Sequence, residues 1–188
     1  RQLALKDSLD EKSKKSLTTC INEVERLDGI ISHFLKAIRP QEPDFKKVNL
    51  LDVIEETVRL KKEELNAKKI TISMEAGVRE PFVNGDAEQL KQVFFNIVGN
   101  AIEAITNSSN IRILTGLEDH FVFAKIIDHG SGISKENLSK VFEPYYTTKK
   151  SGHGIGMMII HRIMRDHGGD VGVDSKVGAG TIVTVRFP

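Results

Sequence analysis

Two asparagines four residues apart stand in the run Asn96-Ile-Val-Gly-Asn100-Ala-Ile-Glu103. On a helix that spacing puts both on one face. Their carboxamide oxygens suit a hard cation that also holds phosphate oxygens, since magnesium takes few protein ligands and keeps waters. The alternative is a pair of structural amides satisfied within the fold. A second cluster, Asp128-His-Gly-Ser-Gly-Ile133, sets an acidic acceptor beside Gly130 and Gly132. The glycines let backbone approach a flat ligand closely, and a buried Asp can accept from an exocyclic amine. A plain turn would explain the glycines but not their place at the end of a strand. Third, Gly152-His-Gly-Ile-Gly-Met157 leads into a helix, where free N–H groups and the positive dipole end favour phosphate. The preceding Thr147-Thr148-Lys149-Lys150 adds hydroxyls and ammonium groups, or only a solvated charge pair. Fourth, Gly178-Ala-Gly-Thr181 reads as a β-turn if taken alone. No G-x-x-x-x-G-K-[ST] string occurs, and the G-x-G triplets lack the spaced third glycine of a dinucleotide fingerprint.

Regular elements must position these clusters. Leu17, Ile21, Val24, Leu27, Ile31, Phe34, Leu35 and Ile38 recur at intervals of three and four, which predicts a helix over 16–39 with one apolar stripe. Pro40 and Pro43 end it. Such a helix cannot bury its seam alone, so a helical hairpin or bundle completed by a second chain is expected, packing on the following domain being the other possibility. Downstream, the pattern predicts a helix at about 50–65 capped by Asn49, a strand over 70–74 and a short strand at 82–83. A long helix capped by Asp86 should run to about Thr106, burying Leu90, Val93, Phe94, Ile97, Val98, Ala101 and Ile105. A hairpin over about 110–118 and 120–127 follows, then some thirty residues rich in Gly, Ser, Thr and Lys with a short helix near 134–140. A loop that long is functional more often than not. A helix at 155–167 stopped by Gly168-Gly169 and strands at 170–175 and 181–187 close the chain. Helices mixed with antiparallel strands predict an α+β fold, a two-layer sandwich with helices on one face of a mixed sheet.

Composition narrows the function classes. The chain has 188 residues, 27 basic and 26 acidic side chains and a formal net charge of +1. That balance argues against a nucleic-acid or polyanion binder, so any anion site is local. One cysteine, Cys20, excludes an internal disulfide framework and a thiolate zinc cluster, and fits a reducing, cytoplasmic compartment. No apolar run approaches the roughly 20 residues of a membrane span, so no membrane contact is expected of this chain. It begins with Arg1 rather than Met, which reads as a piece of a longer protein that could itself be membrane-anchored.

Taken together and in order, the clusters resemble the ATP-binding sites of the gyrase, Hsp90, histidine kinase and MutL superfamily, and within it the sensor histidine kinases. Asp86-Ala-Glu-Gln-Leu through Asn96-Ile-Val-Gly-Asn100-Ala resembles the N box, and Asp128-His-Gly-Ser-Gly-Ile133 the G1 box. Phe142-Glu-Pro-Tyr-Tyr-Thr-Thr-Lys149 resembles the F box, Gly152-His-Gly-Ile-Gly-Met157 the G2 box, and Gly178-Ala-Gly-Thr181 the terminal glycine box. The resemblance implies an ATP-binding catalytic domain over 44–188, preceded over 1–43 by part of the dimerisation and phosphotransfer hairpin. The helix ending in Arg39-Pro40 is similar to those of nitrogen-regulator and sporulation-type kinases.

The resemblance also implies roles. Asn100 would ligate Mg²⁺ and Asn96 would orient phosphate or metal-bound water. Asp128 would accept from the adenine amino group, with Thr181 reaching the purine through water, Gly132 making room for it, and Gly130 and Ile133 among the ATP-binding residues. Lys149 would reach the phosphates from a lid that includes Thr148, Gly152 and His153. Gly154, Ile155, Gly156 and Met157 would bring helix-start amides to the phosphates, and Phe142 would anchor a lid edge. His129 stands where Asn is usual, and His153 where Thr is common. The implied reaction is transfer of the ATP γ-phosphoryl group to a histidine, for relay to an aspartate of a response regulator, by a homodimer formed through the N-terminal helix. The acceptor motif, His-Glu followed by Asn-Pro, occurs nowhere in the chain, which places the acceptor upstream of Arg1. His33 reads as a packing residue, His120 receives no role, and His161 and His167 receive none beyond helix-end electrostatics. The absence of the acceptor keeps open a catalytically silent, pseudokinase-like scaffold. A gyrase-type ATPase is disfavoured, because that branch carries a glutamate base where this chain has Asn96.

Overall fold

The computed structural model describes residues 13, 16–21, 23, 24, 43–148 and 154–188. The chain divides into two compact units, Arg1–Gln41 and Glu42–Pro188. In the first, the described residues are helical, and Leu17, Ile21 and Val24 are exposed along it. The rest of the apolar stripe, with His33, lies outside the described residues.

The second unit runs β1 (Lys46–Asn49), α1 (Leu50–Leu60), α2 (Lys62–Ala67), β2 (Thr71–Ala76), β3 (Phe82–Gly85), α3 (Ala87–Ala104), β4 (Asn110–Glu118), β5 (Phe121–Asp128), α4 (Lys135–Leu138), α5 (Gly156–Asp166), β6 (Asp170–Lys176) and β7 (Gly180–Phe187). Five strands form one sheet in the order β2-β4-β5-β7-β6, with β2 parallel to β4 and the other pairs antiparallel. This is the expected mixed sheet. Register places Ile113 opposite Ile126, Ala124 opposite Val185 and Ile126 opposite Val183. These alternate residues are all buried, so one face of the sheet forms a continuous apolar floor. The helix α3 packs on β5 and β7, α5 on β6 and β7, and α1 on α3.

Two elements differ from the sequence reading. The helix expected over 50–65 is two helices, with Lys61 between them at φ −90° and ψ 4°. No Gly or Pro marks the break. Lys61 is buried, with its ammonium 2.7 Å from Glu64 and 3.9 Å above the ring of Phe95, so satisfying a buried cation sets the bend. The strand β1 was also not expected. It pairs antiparallel with β3, Val48 opposite Val83, in a separate two-stranded sheet. Its lysines are exposed, and Lys47 lies 4.0 Å from the Phe82 ring centre.

The helix α3 forms as the pattern predicts. Leu90, Val93, Phe94, Ile97, Val98 and Ala101 are buried, and so is Ile102. The Asp86 carboxylate caps it, accepting from the N–H groups of Glu88 at 2.9 Å and Gln89 at 3.1 Å, while its second oxygen accepts from Asp44 N–H at 3.0 Å. Partial burial pushes the Asp86 carboxyl up, but the N–H groups of Gln89, Asp44 and Glu88, with His167 beside them, outweigh it and hold the group below its ordinary 3.8. A depressed folded-state pKa adds stability above the ordinary value and loses it as pH falls through the folded one. Asp86→Ala should therefore cost about 1–2 kcal/mol at pH 7, and the gap to wild type should narrow as pH falls below about 4. Urea unfolding at both pH values measures this, and a gap unchanged by acid would refute it.

Candidate functional site

The acidic acceptor lies at the end of the sheet's central strand. Asp128 ends β5 and is 5% exposed. Its Oδ1 accepts from Gly130 N–H at 2.8 Å, which turns the following loop back across the end of α3. Ser131 N–H there donates to Ala104 O at 3.1 Å, and Gly178 N–H donates to Ser131 O at 2.8 Å. Gly132 sits at φ +68°, in the left-handed region, where a Cβ would also overlap the Lys176 carbonyl. The loop is thus stitched to α3 on one side and to the β6–β7 turn on the other.

Thr181 lies directly opposite Asp128 across the β5–β7 ladder, so the two side chains share a face. Opposite Thr181 on β6 stands Ser175, to which the sequence reading gave no role. Its hydroxyl donates to Gly180 O at 2.8 Å and accepts from Ile133 N–H at 2.8 Å. The 2.9 Å contact between the two hydroxyls then makes Thr181 the donor to Ser175. Ser175 therefore orients Thr181 and pins Ile133. The β6–β7 register is the sequence signal that would reveal it.

The amide pair meets the start of α5. Asn96 Nδ2 donates to Gln92 O at 3.0 Å, and a Cβ on Gly156 would stand 3.4 Å from Asn96 Oδ1. Asn100 Nδ2 lies 3.6 Å from the Met157 sulfur. Both asparagines thus face the first turn of α5, whose N-cap residue, Ile155, makes no side-chain cap among the described residues. The N–H groups of that turn remain for an anion. Gly154, at φ +66°, packs so tightly on Tyr146 N that a Cβ would come within 2.7 Å, and its carbonyl accepts from Tyr145 N–H at 3.0 Å. That bond pins the two ends of the segment between them. Ile155 is buried, Thr148 is exposed, and Lys149, Gly152 and His153 lie outside the described residues.

Phe142 packs against His161, ring centres 5.4 Å apart. His161 is thus a mid-helix partner of the aromatic edge rather than a helix-end charge. His129 is exposed beside Asp128. Tyr146 OH donates to Asn137 Oδ1 at 2.6 Å, tying α4 to the lid edge. Among the described residues no group of three or more His, Cys, Asp or Glu could hold a metal ion. A cation here would have the Asn100 carboxamide as its protein ligand, with Asn96 beside it, and would take the rest from a bound phosphate and water, a donor set that suits Mg²⁺.

A buried carboxylate at the end of β5, the start of α5 and the amide pair of α3 thus lie together on one two-layer α+β domain. The family model described as histidine kinase-, DNA gyrase B-, and HSP90-like ATPase matches residues 85–188. The chain belongs to that family. Sporulation kinase A of Bacillus subtilis (strain 168) is 33% identical over 168 residues, covering 89% of this chain and 28% of the kinase. The catalytic domain of histidine kinase ThkA superposes with a TM-score of 0.71 at 29% identity, covering 77% of this chain and 95% of that domain. ThkA in complex with response regulator protein TrrA superposes with a TM-score of 0.78 at 27% identity, covering 99% and 55%. The fold is that of the histidine kinase catalytic domains. The chain spans between 25% and 39% of the length of three sporulation kinases among the curated relatives it matches. Relatives named as kinases do not favour the silent-scaffold alternative. No described helix is long and apolar enough to cross a membrane.

Proposed function

We propose that this chain is the ATP-binding catalytic region of a sensor histidine kinase, which transfers the γ-phosphoryl group of Mg-ATP to a histidine for relay to a response-regulator aspartate. One observation carries it: Asn96 and Asn100 face the first turn of α5, while the loop after Asp128 is bonded to the end of the same helix α3. In this reading Asp128 accepts from the adenine amino group, and Thr181, oriented by Ser175, meets the ring through water. The amides of Gly154–Met157 hold phosphate oxygens, joined by Lys149 from the lid. Asn100 ligates the magnesium that screens phosphate charge, and Asn96 orients its water or a phosphate oxygen. Catalysis is then positioning and charge stabilisation of an in-line transfer.

Residues 1–43 belong, in the same reading, to the dimerisation and phosphotransfer hairpin. Exposed Leu17, Ile21 and Val24 form the seam toward a second copy, and the response regulator docks on the assembled kinase. The acceptor histidine comes from outside this chain, and the work is done in the cytoplasm. The test mixes the chain with a protein carrying only a His-Glu-x-x-Asn-Pro acceptor helix and γ-labelled ATP. Acid-labile label on the acceptor histidine is expected; intact nucleotide binding without label transfer would refute the kinase reading.

A further inference from the structure

The sequence left His167 without a role, yet it is the most connected histidine among the described residues. It is 5% exposed and sits where α5 ends, its own N–H bonded to Ile163 O at 3.0 Å and Met164 O at 3.2 Å. Its Nε2 accepts from Asp86 N–H at 3.0 Å, and Nδ1 lies 2.8 Å from Ile163 O. An imidazole that accepts at Nε2 and donates at Nδ1 is neutral and fixed in one tautomer. The ring also packs edge-on against Phe45 at 4.9 Å and against Phe187 at 6.5 Å, and Gly85 leaves room for it. One side chain therefore touches the segment leading into the domain, the start of α3, the end of α5 and the last strand. The two helices it joins are those that carry Asn96, Asn100 and the Gly156 turn.

We propose that His167 is a positioning residue for the nucleotide site: a latch whose neutral imidazole holds α3 and α5 against the incoming segment, and which protonation of Nε2 opens. A proton there sets two N–H donors against each other across 3.0 Å. The Asp86 carboxylate, which interacts electrostatically with the ring, is the acceptor the new donor would compete for, and it is already shared among the N–H groups of Glu88, Gln89 and Asp44. Taking it uncaps α3 or frees the incoming segment. The charged groups on the surrounding elements answer one another. Lys46 pairs with Asp44 on the incoming segment, Arg165 with Asp166 on α5 and Arg186 with Asp170 across β6–β7. Asp86, which also feels Lys46, is the carboxylate that a charged His167 would engage. Acid should therefore loosen the nucleotide site through this residue.

The consequence for binding rests on the nucleotide-site reading, so the experiment has two arms. In the first, ADP affinity is measured from pH 8 to 5.5 for wild type, His167→Gln and His129→Gln. Glutamine can accept from Asp86 N–H and does not titrate, and the comparison cancels protonation of the nucleotide itself. Wild type and His129→Gln should lose about tenfold more affinity over that range than His167→Gln. Identical profiles for wild type and His167→Gln overturn the proposal, as does a profile flattened by His129→Gln instead. The second arm uses nucleotide-free wild type and follows the ring nitrogens of His167 and the Asp86 amide by NMR. A common midpoint supports the latch, and an Asp86 amide that stays put while the ring titrates overturns it, whether or not the variant folds. Absence of ADP binding at every pH refutes the nucleotide-site reading instead, and the amide arm then decides the latch alone.

Discussion

Asp128→Asn should weaken adenine-nucleotide binding roughly 100-fold while leaving the fold in place. The carboxylate is buried, and Oδ1 already accepts from Gly130 N–H. Asparagine has one acceptor oxygen. If it keeps the Gly130 bond, which holds the loop, its NH₂ faces the adenine amino group and sets donor against donor. A charge-assisted bond contributes about 1.5–3 kcal/mol, and a buried unsatisfied donor costs about 1–3 more. The same geometry predicts a change of preference, because the asparagine NH₂ can donate to the O6 of an inosine nucleotide. Calorimetric titration of ATP and ITP into wild type and variant checks both. Wild type should prefer ATP, and the preference should shrink or invert in Asp128→Asn. Thermal unfolding within a few degrees of wild type shows that the loop has survived. A variant that binds ATP within threefold of wild type would remove Asp128 from the purine site.

The acid at the end of β5 was legible in the sequence because everything around it is local. The acid and the two glycines fall within five residues, Asp128 to Gly132, at the end of their strand, and the cap and periodic apolar face of α3 lie in one continuous stretch, Asp86 to Ile102. What was not legible depends on pairs far apart in the chain. The ladder that sets Ser175 beside Thr181, and Thr181 beside Asp128, is a matter of register, and nothing in Ser175 itself announces it. His167 meets Asp86 across 81 residues, so its neighbours in sequence, Asp166 and Gly168, suggest only a helix end. The strand β1 escaped for a related reason. Lys46-Lys47-Val48-Asn49 has too few apolar positions to alternate visibly, and it is a strand because β3 lies beside it. The bend at Lys61 likewise follows from Glu64 and Phe95, one of them on another helix. Local propensity names the elements, and tertiary partners decide where they break.

Asn100→Ala should have the largest effect on chemistry, lowering phosphoryl transfer by about 10²–10³. Asn100 is half-buried on α3 with its amide against Met157 at the start of α5, so removing it takes a polar group from between the amide face and the helix start that would hold phosphate. The helix should survive, since alanine is the best helix former and the apolar face of α3 is untouched. The proposed role is to ligate a cation that arrives with the nucleotide, which makes the Mg²⁺ dependence of binding the decisive measurement. Wild type should bind ADP more tightly as Mg²⁺ is added, whereas Asn100→Ala should show a flat response and an unchanged affinity without the metal. Asn96→Ala provides the contrast. Asn96 Nδ2 is committed to Gln92 O, and Oδ1 faces Gly156, so that variant should lose transfer rate while retaining part of the Mg²⁺ response. An Asn100→Ala protein with a wild-type Mg²⁺ response would show that the amide pair is structural and that the cation is held elsewhere.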